Sequence, residues 1–400
     1  MGATLTTLTA VMKELYEPPV REQLNDDVIA LRRLERSSDG VESTVGGKYV
    51  TFPIHISRNS GVGARRELED LPQAGFQGTV AVRIGLKYLY GRISMSGQTF
   101  ELVDKNYQAF VSAMDMEVDG IKDDVGKDQN RQVYGDGTGV IGTATGANTA
   151  AVVPVTNAFW FQEGELLDLY TTAAVTADGA PTATGLIVSS VDIDAKTITL
   201  SATQAVTAGQ VFVRKGNVNR EWTGIGAIVN NTGTLQTVDP NAVGKWKAVV
   251  DAPGSPRNIS EGAILANVDK VRRNGGKTSV LLTSLGVRAA YFALVSQLRQ
   301  FVNKTEFTGG FSGLAFTTDN GDIPLISDTD APTGIIWGLS EKNLKIYREG
   351  DWSFMARDGN MWKAIPDKDG YEARLYQYSE IGTDRRNTHF KMTNVIEAAT

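Results

Sequence analysis

Hydrophobic residues recur at alternating steps of three and four through one long segment of the chain, the pattern of a single apolar stripe on a helix. The stripe consists of Phe100, Val103, Tyr107, Phe110, Val111, Met114, Val118, Ile121 and Val125. The opposite face carries the charged residues Asp104, Lys105, Glu117, Lys122, Asp123, Asp124, Lys127 and Asp128. Their interleaved signs predict a solvated, ion-paired surface. The segment predicts a helix over Phe100–Tyr134, about 45–50 Å long at 1.5 Å per residue. Such a strut suits a scaffold that many copies share better than a pocket enzyme.

A glycine-rich segment, Gly135-Asp-Gly-Thr-Gly139, follows this helix. Loops that bind phosphate follow a strand and open a helix, so that backbone N–H groups and the positive helix end face the anion. Here the glycines lie at the negative C-terminal end of a helix, and no Gly-Lys-Ser/Thr accompanies them. The segment therefore predicts a helix cap and a turn.

Strict alternation of apolar and polar residues marks Gly47–Ser57 and Thr79–Met95 as strands. The intervening residues 58–78 are rich in glycine and charged residues. Together they predict a long two-stranded ribbon with a mobile polar tip. Because an isolated hairpin is marginally stable in water, we expect the ribbon to need a partner surface.

A second amphipathic segment covers residues 10–36, and Pro18-Pro19 interrupts it. Proline disfavours helix at its own position and at the residue before it. The segment is therefore either an ordinary core helix or a detached arm that lies on a neighbouring subunit.

The amino-acid composition and the predicted elements change after the long helix. Residues 147–215 are rich in Thr, Ala, Val and Gly and predict short strands with frequent turns, typical of a small β-barrel or sandwich inserted into the main fold. Residues 222–344 mix both periodicities, with helices predicted at Ser260–Gly276 and Leu285–Phe301 and strands at Ser279–Thr283, Ile323–Ile326 and Ile335–Leu339. The tail, Tyr347–Ile396, alternates again and predicts long strands.

Composition narrows the function classes. The 400 residues are 41% hydrophobic and 22% charged, which describes an ordinary globular chain. A net charge of −6 argues against a protein that grips phosphates over a broad surface. The absence of cysteine excludes disulfides, thiolate metal sites and cysteine nucleophiles. No apolar run is long enough to span a membrane, so no membrane role is predicted.

Few residues could carry chemistry. His55 and His389 lie in predicted strands without metal-ligand or catalytic-triad spacing, so ordinary strand histidines are favoured. Asp319-Asn-Gly-Asp322 lacks the spaced carboxylates and closing glutamate of a calcium loop and predicts a turn. We therefore predict no catalytic residue, no cofactor-binding residue, no metal ligand and no enzyme.

Basic residues occur as scattered pairs instead of one stripe. The pairs are Arg32-Arg33, Arg65-Arg66, Arg272-Arg273 and Arg385-Arg386. Their distribution over several elements favours salt bridges between subunits over a nucleic-acid groove.

The order of these elements resembles the major capsid proteins of tailed double-stranded DNA phages, the Hong Kong 97-type fold. The resemblance covers nearly the whole chain except residues 147–215, which look like an additional β domain. The segments that carry it are Gly47–Met95 as the extended loop, Phe100–Tyr134 as the spine helix, Asn130–Gly139 as the turn after it, Ser260–Phe301 as helices of the axial domain and Tyr347–Ile396 as strands of the peripheral domain.

The resemblance implies an α+β, Hong Kong 97-like capsid fold. Its parts would be an N-terminal arm (1–45), an extended β-ribbon loop (46–98), a peripheral domain with the spine helix (99–146), a small inserted all-β domain (147–215), an axial domain (216–345) and the C-terminal strands of the peripheral domain (346–400). It implies hexamers and pentamers that assemble in the host cytoplasm into the icosahedral head of the virion. The main partner would be the chain itself, with scaffolding, portal and decoration proteins as further candidates. The shell would enclose double-stranded DNA without sequence-specific binding.

The chain departs from the family pattern in two ways, and two other functions are alternatives. Some relatives crosslink a lysine of the extended loop to an asparagine of an adjacent subunit, but residues 58–78 contain no lysine. We therefore expect a non-covalent shell. No long scaffolding extension precedes the arm, so we expect a separate scaffold or none. The β-rich insert suggests a tail-tube or adhesin subunit as one alternative. An acid/base hydrolase is a second alternative, and it would need converging carboxylates.

Overall fold

The computed structural model describes residues 29–37, 49–98, 107–298, 305–306, 312–318, 321–356 and 359–398. Most of the amphipathic segment 10–36, with its Pro18-Pro19 break, lies outside the described residues, as do residues 100–106 at the start of the predicted long helix and residues 319–320 of the predicted aspartate turn.

Helices and strands alternate irregularly along the chain. The helices are α1 (Ile29–Arg33), α2 (Tyr107–Tyr134), α3 (Thr172–Thr176), α4 (Ile225–Ile228), α5 (Glu261–Arg273) and α6 (Leu285–Leu298). The strands are β1 (Glu35–Ser37), β2 (Tyr49–Ser57), β3 (Gly78–Gly85), β4 (Lys87–Ser96), β5 (Val140–Thr143), β6 (Val152–Pro154), β7 (Leu166–Tyr170), β8 (Ala183–Asp192), β9 (Thr197–Leu200), β10 (Val211–Arg214), β11 (Val249–Asp251), β12 (Val280–Thr283), β13 (Thr305–Glu306), β14 (Ser312–Thr318), β15 (Gly321–Ser327), β16 (Ile336–Leu339), β17 (Leu344–Arg348), β18 (Ser353–Phe354), β19 (Lys363–Ala364), β20 (Gly370–Thr383) and β21 (Phe390–Met392).

The described residues divide into two compact units. The first unit comprises residues 29–37, Lys87–Thr223 and Arg348–Glu380. The second unit comprises residues 49–86, Gly224–Tyr347 and 381–398. No helix in these ranges is both long and apolar enough to cross a membrane.

The long helix α2 organises the first unit. It covers 28 residues, about 42 Å at 1.5 Å per residue, and confirms the predicted helix where the chain is described. Its apolar side packs on a sheet in which β4 pairs antiparallel with β20, while β18 and β19 pair with the other edge of β20. The apolar core between them contains Ile93, Val118, Met361, Trp362 and Ala373.

The glycine-rich segment after α2 is a cap and turn, as predicted. Gly137 and Gly139 have φ values of +89° and +81°, which glycine adopts without steric cost. The Asp136 carboxylate accepts a hydrogen bond of 3.0 Å from the Thr138 backbone N–H. The turn directs the chain into β5.

The predicted short strands of residues 147–215 are present, and together with β5 they form a closed β-barrel. Its strands pair in the order β5-β10-β7-β8-β9-β6. A bridge between Ala144 and Val155 and a hydrogen bond of 3.0 Å from Thr145 N to Pro154 O join the two ends of that order. Closure removes the free sheet edges. The interior includes the fully buried side chains of Val153, Leu167, Leu169, Ile198 and Phe212.

A buried ion network ties this barrel to the end of α2. Arg131 binds Asp128 at 2.9 Å and Glu221 at 2.7 Å. Arg214 of β10 binds Asp128 at 2.5 Å and also contacts Glu165. Burial alone would raise the pKa of Asp128, but the charges of Arg131 and Arg214 outweigh it and hold the pKa below its usual range. Burial alone would lower the pKa of Arg131, but its two carboxylate partners raise it.

The network corrects part of the predicted solvated helix face. Asp123, Asp124 and Lys127 are exposed, as predicted. Lys122 is buried, and Asp128 lies in the network instead of in solvent. The helical pattern placed them correctly on α2, and Arg214 of the barrel accounts for the position of Asp128.

The second unit is built on a mixed sheet with the strand order β11-β21-β16-β12-β15-β14-β13. Strand β12 pairs parallel with β15 and antiparallel with β16. Helices α5 and α6 confirm the two predicted helices and pack on this sheet through Ile264, Val268, Val271, Val287, Tyr291 and Val295. Ser260 caps α5 by accepting a hydrogen bond of 3.3 Å from Ala263 N.

Arg386 is a structural residue of the second unit, so the predicted role of the pair Arg385-Arg386 in salt bridges between subunits is wrong for Arg386. Its side chain is buried and donates hydrogen bonds of 3.0 Å to the carbonyl oxygens of Ala227, Ile228, Thr232 and Gly233. Burial lowers the pKa of Arg386 to about 10. The guanidinium thus fixes the chain around α4, while Arg385 remains exposed.

We expect Arg131→Met to lower the free energy of unfolding by about 3–5 kcal/mol, because it leaves the buried carboxylate of Glu221 without its cation and removes one of the two arginines that bind Asp128. Lys127→Met on the exposed face of the same helix is the matched control and should change stability by less than about 0.5 kcal/mol. Denaturant unfolding of the purified, unassembled variants measures both. Equal effects of the two substitutions would contradict the role of the network.

We expect His389 to make the second unit sensitive to mild acid. Ser340 N donates to His389 Nδ1 at 3.2 Å, so the ring is neutral, and burial lowers its pKa from 6.5 to about 3. The unfolded chain binds a proton that the folded chain excludes, so stability is full above pH 6.5 and falls as the pH drops toward 3. Between pH 7 and 5 the loss should be about 2 kcal/mol. His389→Gln should unfold with a flatter pH profile over that range, and an unchanged profile would refute the assignment.

Candidate assembly surface

The ribbon formed by β2 and β3 is antiparallel, with Tyr49 opposite Gly85 and His55 opposite Thr79. One face is half-buried or buried along its length, including Val50, Val82 and Ile84. The other face is exposed. The alternation predicted from the sequence is therefore confirmed, with a register irregularity between His55 and Ser57.

The base of the ribbon is fixed to the second unit. Arg83 N donates to Gln236 O at 3.1 Å, and the rings of Phe52 and Tyr347 stack with centroids 6.3 Å apart. Beyond the base, His55 Nε2 lies 2.5 Å from Gln77 Oε1 across the neck of the loop. The ribbon is thus anchored at one end and exposed at the other.

The ribbon tip, residues 58–77, has a defined internal hydrogen-bond pattern. Asn59 Nδ2 donates to Gly75 O at 3.1 Å, and Gly61 N donates to Asn59 Oδ1 at 2.7 Å. A side chain at Gly75 would place its Cβ 2.5 Å from Asn59 Oδ1, so only glycine fits there. These contacts close the two sides of the tip against each other.

A tight turn at the end of the tip presents Leu68 to solvent. Arg66 N donates to Glu69 Oε2 at 2.9 Å, and Glu69 N donates to Arg66 O at 3.2 Å. Leu68 has a φ of +63° and is fully exposed, at 101% of its reference area. A non-glycine residue in this region costs about 1–2 kcal/mol. The turn therefore carries both backbone strain and an unburied leucine.

Other apolar side chains of the tip are also almost fully exposed, namely Val62, Leu71 and Phe76. The charged residues of the tip lie between these apolar residues in the chain. The charge and glycine content of residues 58–78 predicted a polar tip. That prediction overlooked the apolar residues that lie between the charged ones. A cluster of exposed apolar side chains indicates an interaction site.

A cleft of about 550 Å³ opens beside β2 in the second unit. Arg58, Lys245 and Arg385 line it together with the exposed Asp384. Within the described part of the chain no three histidine or carboxylate side chains converge as a metal site would require. His55 lines this cleft and is exposed, whereas His389 is buried in the core of the same unit.

Comparison with known proteins identifies the family. Residues 191–395 match the SU10 major capsid protein family. The chain belongs to this family. No protein with curated annotation matches the sequence.

A solved phage capsid shows the fold of this SU10-type capsid protein. The cyanophage A-1(L) capsid asymmetric unit is similar with a TM-score of 0.56 and 12% identity, over 95% of this chain and 93% of that one. A chain from Mycobacterium phage Bobi gives a TM-score of 0.46 at 9% identity over 100% of both chains. The capsid of Myoviridae phage XM1 gives 0.42 at 8% identity over 90% and 89%.

The family and the fold confirm the main predictions from the sequence. The chain is a structural major capsid protein with a Hong Kong 97-like α+β fold, and its place is in the virion capsid. The family is structural and not enzymatic. The tail-tube and hydrolase alternatives are therefore set aside.

We expect Leu68→Asn to stabilise the tip and weaken assembly. Asparagine tolerates the left-handed conformation better than leucine, so amide hydrogen exchange over residues 66–70 of the unassembled chain should slow about five-fold, equivalent to about 1 kcal/mol. The yield of assembled particles should fall because the apolar side chain is lost.

Leu68→Ala is the control, since it removes the side chain and keeps the strain. It should lower particle yield without slowing exchange. Wild-type yield from both variants would show that Leu68 takes no part in assembly.

Proposed function

We propose that this capsid protein assembles as hexamers and pentamers into an icosahedral head, with the ribbon tip as a principal contact between subunits. The observation that carries the proposal is the strained turn that holds Leu68 in solvent on the same tip as the exposed Val62, Leu71 and Phe76. A single chain gains nothing from this arrangement, because the exposed apolar area and the strain both destabilise it. Burial on a neighbouring copy recovers about 25 cal/mol for each Å² of apolar surface.

We assign the predicted domains to this assembly. Residues 1–45 are the N-terminal arm, and 46–98 are the extended loop whose tip contacts a neighbour. Residues 99–146 and 346–400 form the peripheral domain, 147–215 the inserted barrel, and 216–345 the axial domain. The compactness of the barrel and the rooting of the ribbon at its base support this assignment.

We also propose what the shell encloses and which accessory proteins bind to it. The shell encloses double-stranded DNA, and a net charge of −6 suits a container that does not clamp its contents. Assembly takes place in the host cytoplasm. Scaffolding, portal and decoration proteins are the accessory partners, and the inserted barrel is the surface that we assign to the outside of the shell.

Particle formation by the purified chain tests the proposal. Size-exclusion chromatography and electron microscopy of the wild type should show closed shells. Boiling in detergent should return a single band near 43 kDa, because the tip offers no lysine for a covalent link. The Leu71→Ser and Phe76→Ser double variant should remain unassembled at an unchanged melting temperature.

Ile193→Ser is the matched control, since it removes an exposed apolar side chain from the barrel instead of the tip. It should assemble like the wild type. A wild-type chain that stays monomeric under all conditions, or that forms tubes, would overturn the proposed assembly.

A further inference from the structure

The cleft beside β2 lies between the ribbon and three other segments of the second unit. Those segments are residues 243–246, the residues that end α5, and the turn 384–387. The volume of about 550 Å³ is within the range of small-molecule sites. A ligand in this cleft would therefore contact the ribbon on one side and the body of the unit on the other.

The cleft concentrates positive charge in a chain whose net charge is −6. Arg58, Lys245 and Arg385 line it, and Asp384 is the one carboxylate among the described lining residues. Asp384 Oδ1 already accepts a hydrogen bond of 2.8 Å from Asn343 Nδ2. In the part of the chain that the structure describes, the three cations form no ion pair. The cleft thus has an excess of two positive charges without counter-ions.

Buried neighbours hold two of these cations in place. Arg385 precedes Arg386, whose guanidinium binds four carbonyl oxygens around α4. Lys245 precedes Trp246, which is buried and donates its Nε1–H to a carbonyl oxygen at 3.3 Å. The fold therefore orders the backbone at both positions before a ligand arrives, which lowers the entropy cost of binding.

The C-terminal end of α5 also borders the cleft, and a helix C-terminus is ordinarily negative. Here its carbonyl oxygens already accept hydrogen bonds. Gly275 N donates to Arg272 O at 2.9 Å, and Asn387 Nδ2 donates to Asn274 O at 3.2 Å. The last turn also carries Arg272 and Arg273. The helix end therefore opposes an anion in the cleft only weakly.

The chemistry of the lining favours a ligand with several phosphate groups. A guanidinium matches the oxygens of phosphate with two parallel hydrogen bonds, and an ammonium binds phosphate as a point charge. Cations on separate walls suit an anion that is charged at more than one place better than they suit a single carboxylate. Duplex DNA carries its phosphates on a convex surface that is too broad to enter a cleft of this volume.

We propose that this basic cleft (Arg58, Lys245 and Arg385) binds a small ligand with two or more phosphate groups, which bridges the ribbon to the body of the second unit. Arg58 follows directly on β2, whereas Lys245 and Arg385 belong to the body. The bound ligand fixes the base of the ribbon in one orientation. This role is additional to the proposed assembly and does not depend on it.

Titration of the purified, unassembled chain with tripolyphosphate at low salt tests the proposal. Calorimetry should show saturable binding at one site. Arg58→Gln, Lys245→Gln and Arg385→Gln should each weaken the affinity at least about ten-fold, because each removes a charge-assisted hydrogen bond. Arg288→Gln is the matched control, since it removes an exposed arginine of the same unit that does not line the cleft. It should bind like the wild type.

Asp384→Asn gives a change of the opposite sign. It removes the carboxylate of the lining and keeps an oxygen that can accept from Asn343, so tripolyphosphate should bind about two- to five-fold more tightly. This variant keeps the proposal testable even if a glutamine variant fails to fold. Weaker or unchanged binding by Asp384→Asn would count against the cleft as the site.

Hydrogen exchange tests the bridge itself. At ten times the Kd, tripolyphosphate should slow amide exchange in residues 52–58 of the wild type by up to about ten-fold and leave that of Lys245→Gln unchanged. Binding without slower exchange in the ribbon would refute the bridge. Absence of saturable binding, or an equal loss of affinity in Arg288→Gln, would refute the site.

A competition experiment identifies the source of the phosphate. A short DNA duplex at the same phosphate concentration should not displace tripolyphosphate from the wild type. Displacement by the duplex would overturn the assignment to a small ligand and would indicate a contact with the nucleic-acid backbone instead.

Discussion

The buried ion network at the end of α2 is the interaction on which the first unit depends. Arg131 and Asp128 lie on the helix, Glu221 on the segment that leaves the barrel, and Arg214 and Glu165 within the barrel. Each charge is stable in the interior only because its partners are held in place. The network therefore couples the position of an inserted domain to the longest rigid element of the chain, and it does so with directional contacts that an apolar interface lacks.

Periodicity made most of the fold predictable. The helix from Tyr107 to Tyr134, the alternation in the ribbon and the short strands of residues 147–215 all depend on local spacing, and each appears where it was expected. The burial of Arg386 and the contact between Asp128 and the barrel were not predictable in this way. Arg386 binds carbonyl oxygens around α4, and Asp128 binds Arg214 of a distant strand in addition to Arg131 of its own helix. No local pattern indicates that a charged residue will find such distant partners.

The candidate site was predictable in outline and not in detail. The alternation of β2 and β3 indicated a ribbon that needs a partner, and the absence of catalytic spacing excluded the common enzyme sites. The left-handed backbone at Leu68 depends on turn geometry, and the pairing of Tyr49 with Gly85 depends on strand register. A single sequence fixes neither, because a shift of one residue would turn every side chain to the other side of the sheet.

The place where the chain enters and leaves the barrel affects how such proteins change over evolution. The first and last strands of the barrel, β5 and β10, are hydrogen-bonded neighbours, so the chain enters and leaves the barrel at one place. Asn219 N donates to Thr138 O at 3.0 Å, and a side chain at Gly139 would approach Asn217 O to 2.8 Å. A domain whose two chain ends lie side by side can be inserted or removed without separating the rest of the fold. A single event can add, remove or exchange it, and the threading of the remaining chain stays the same.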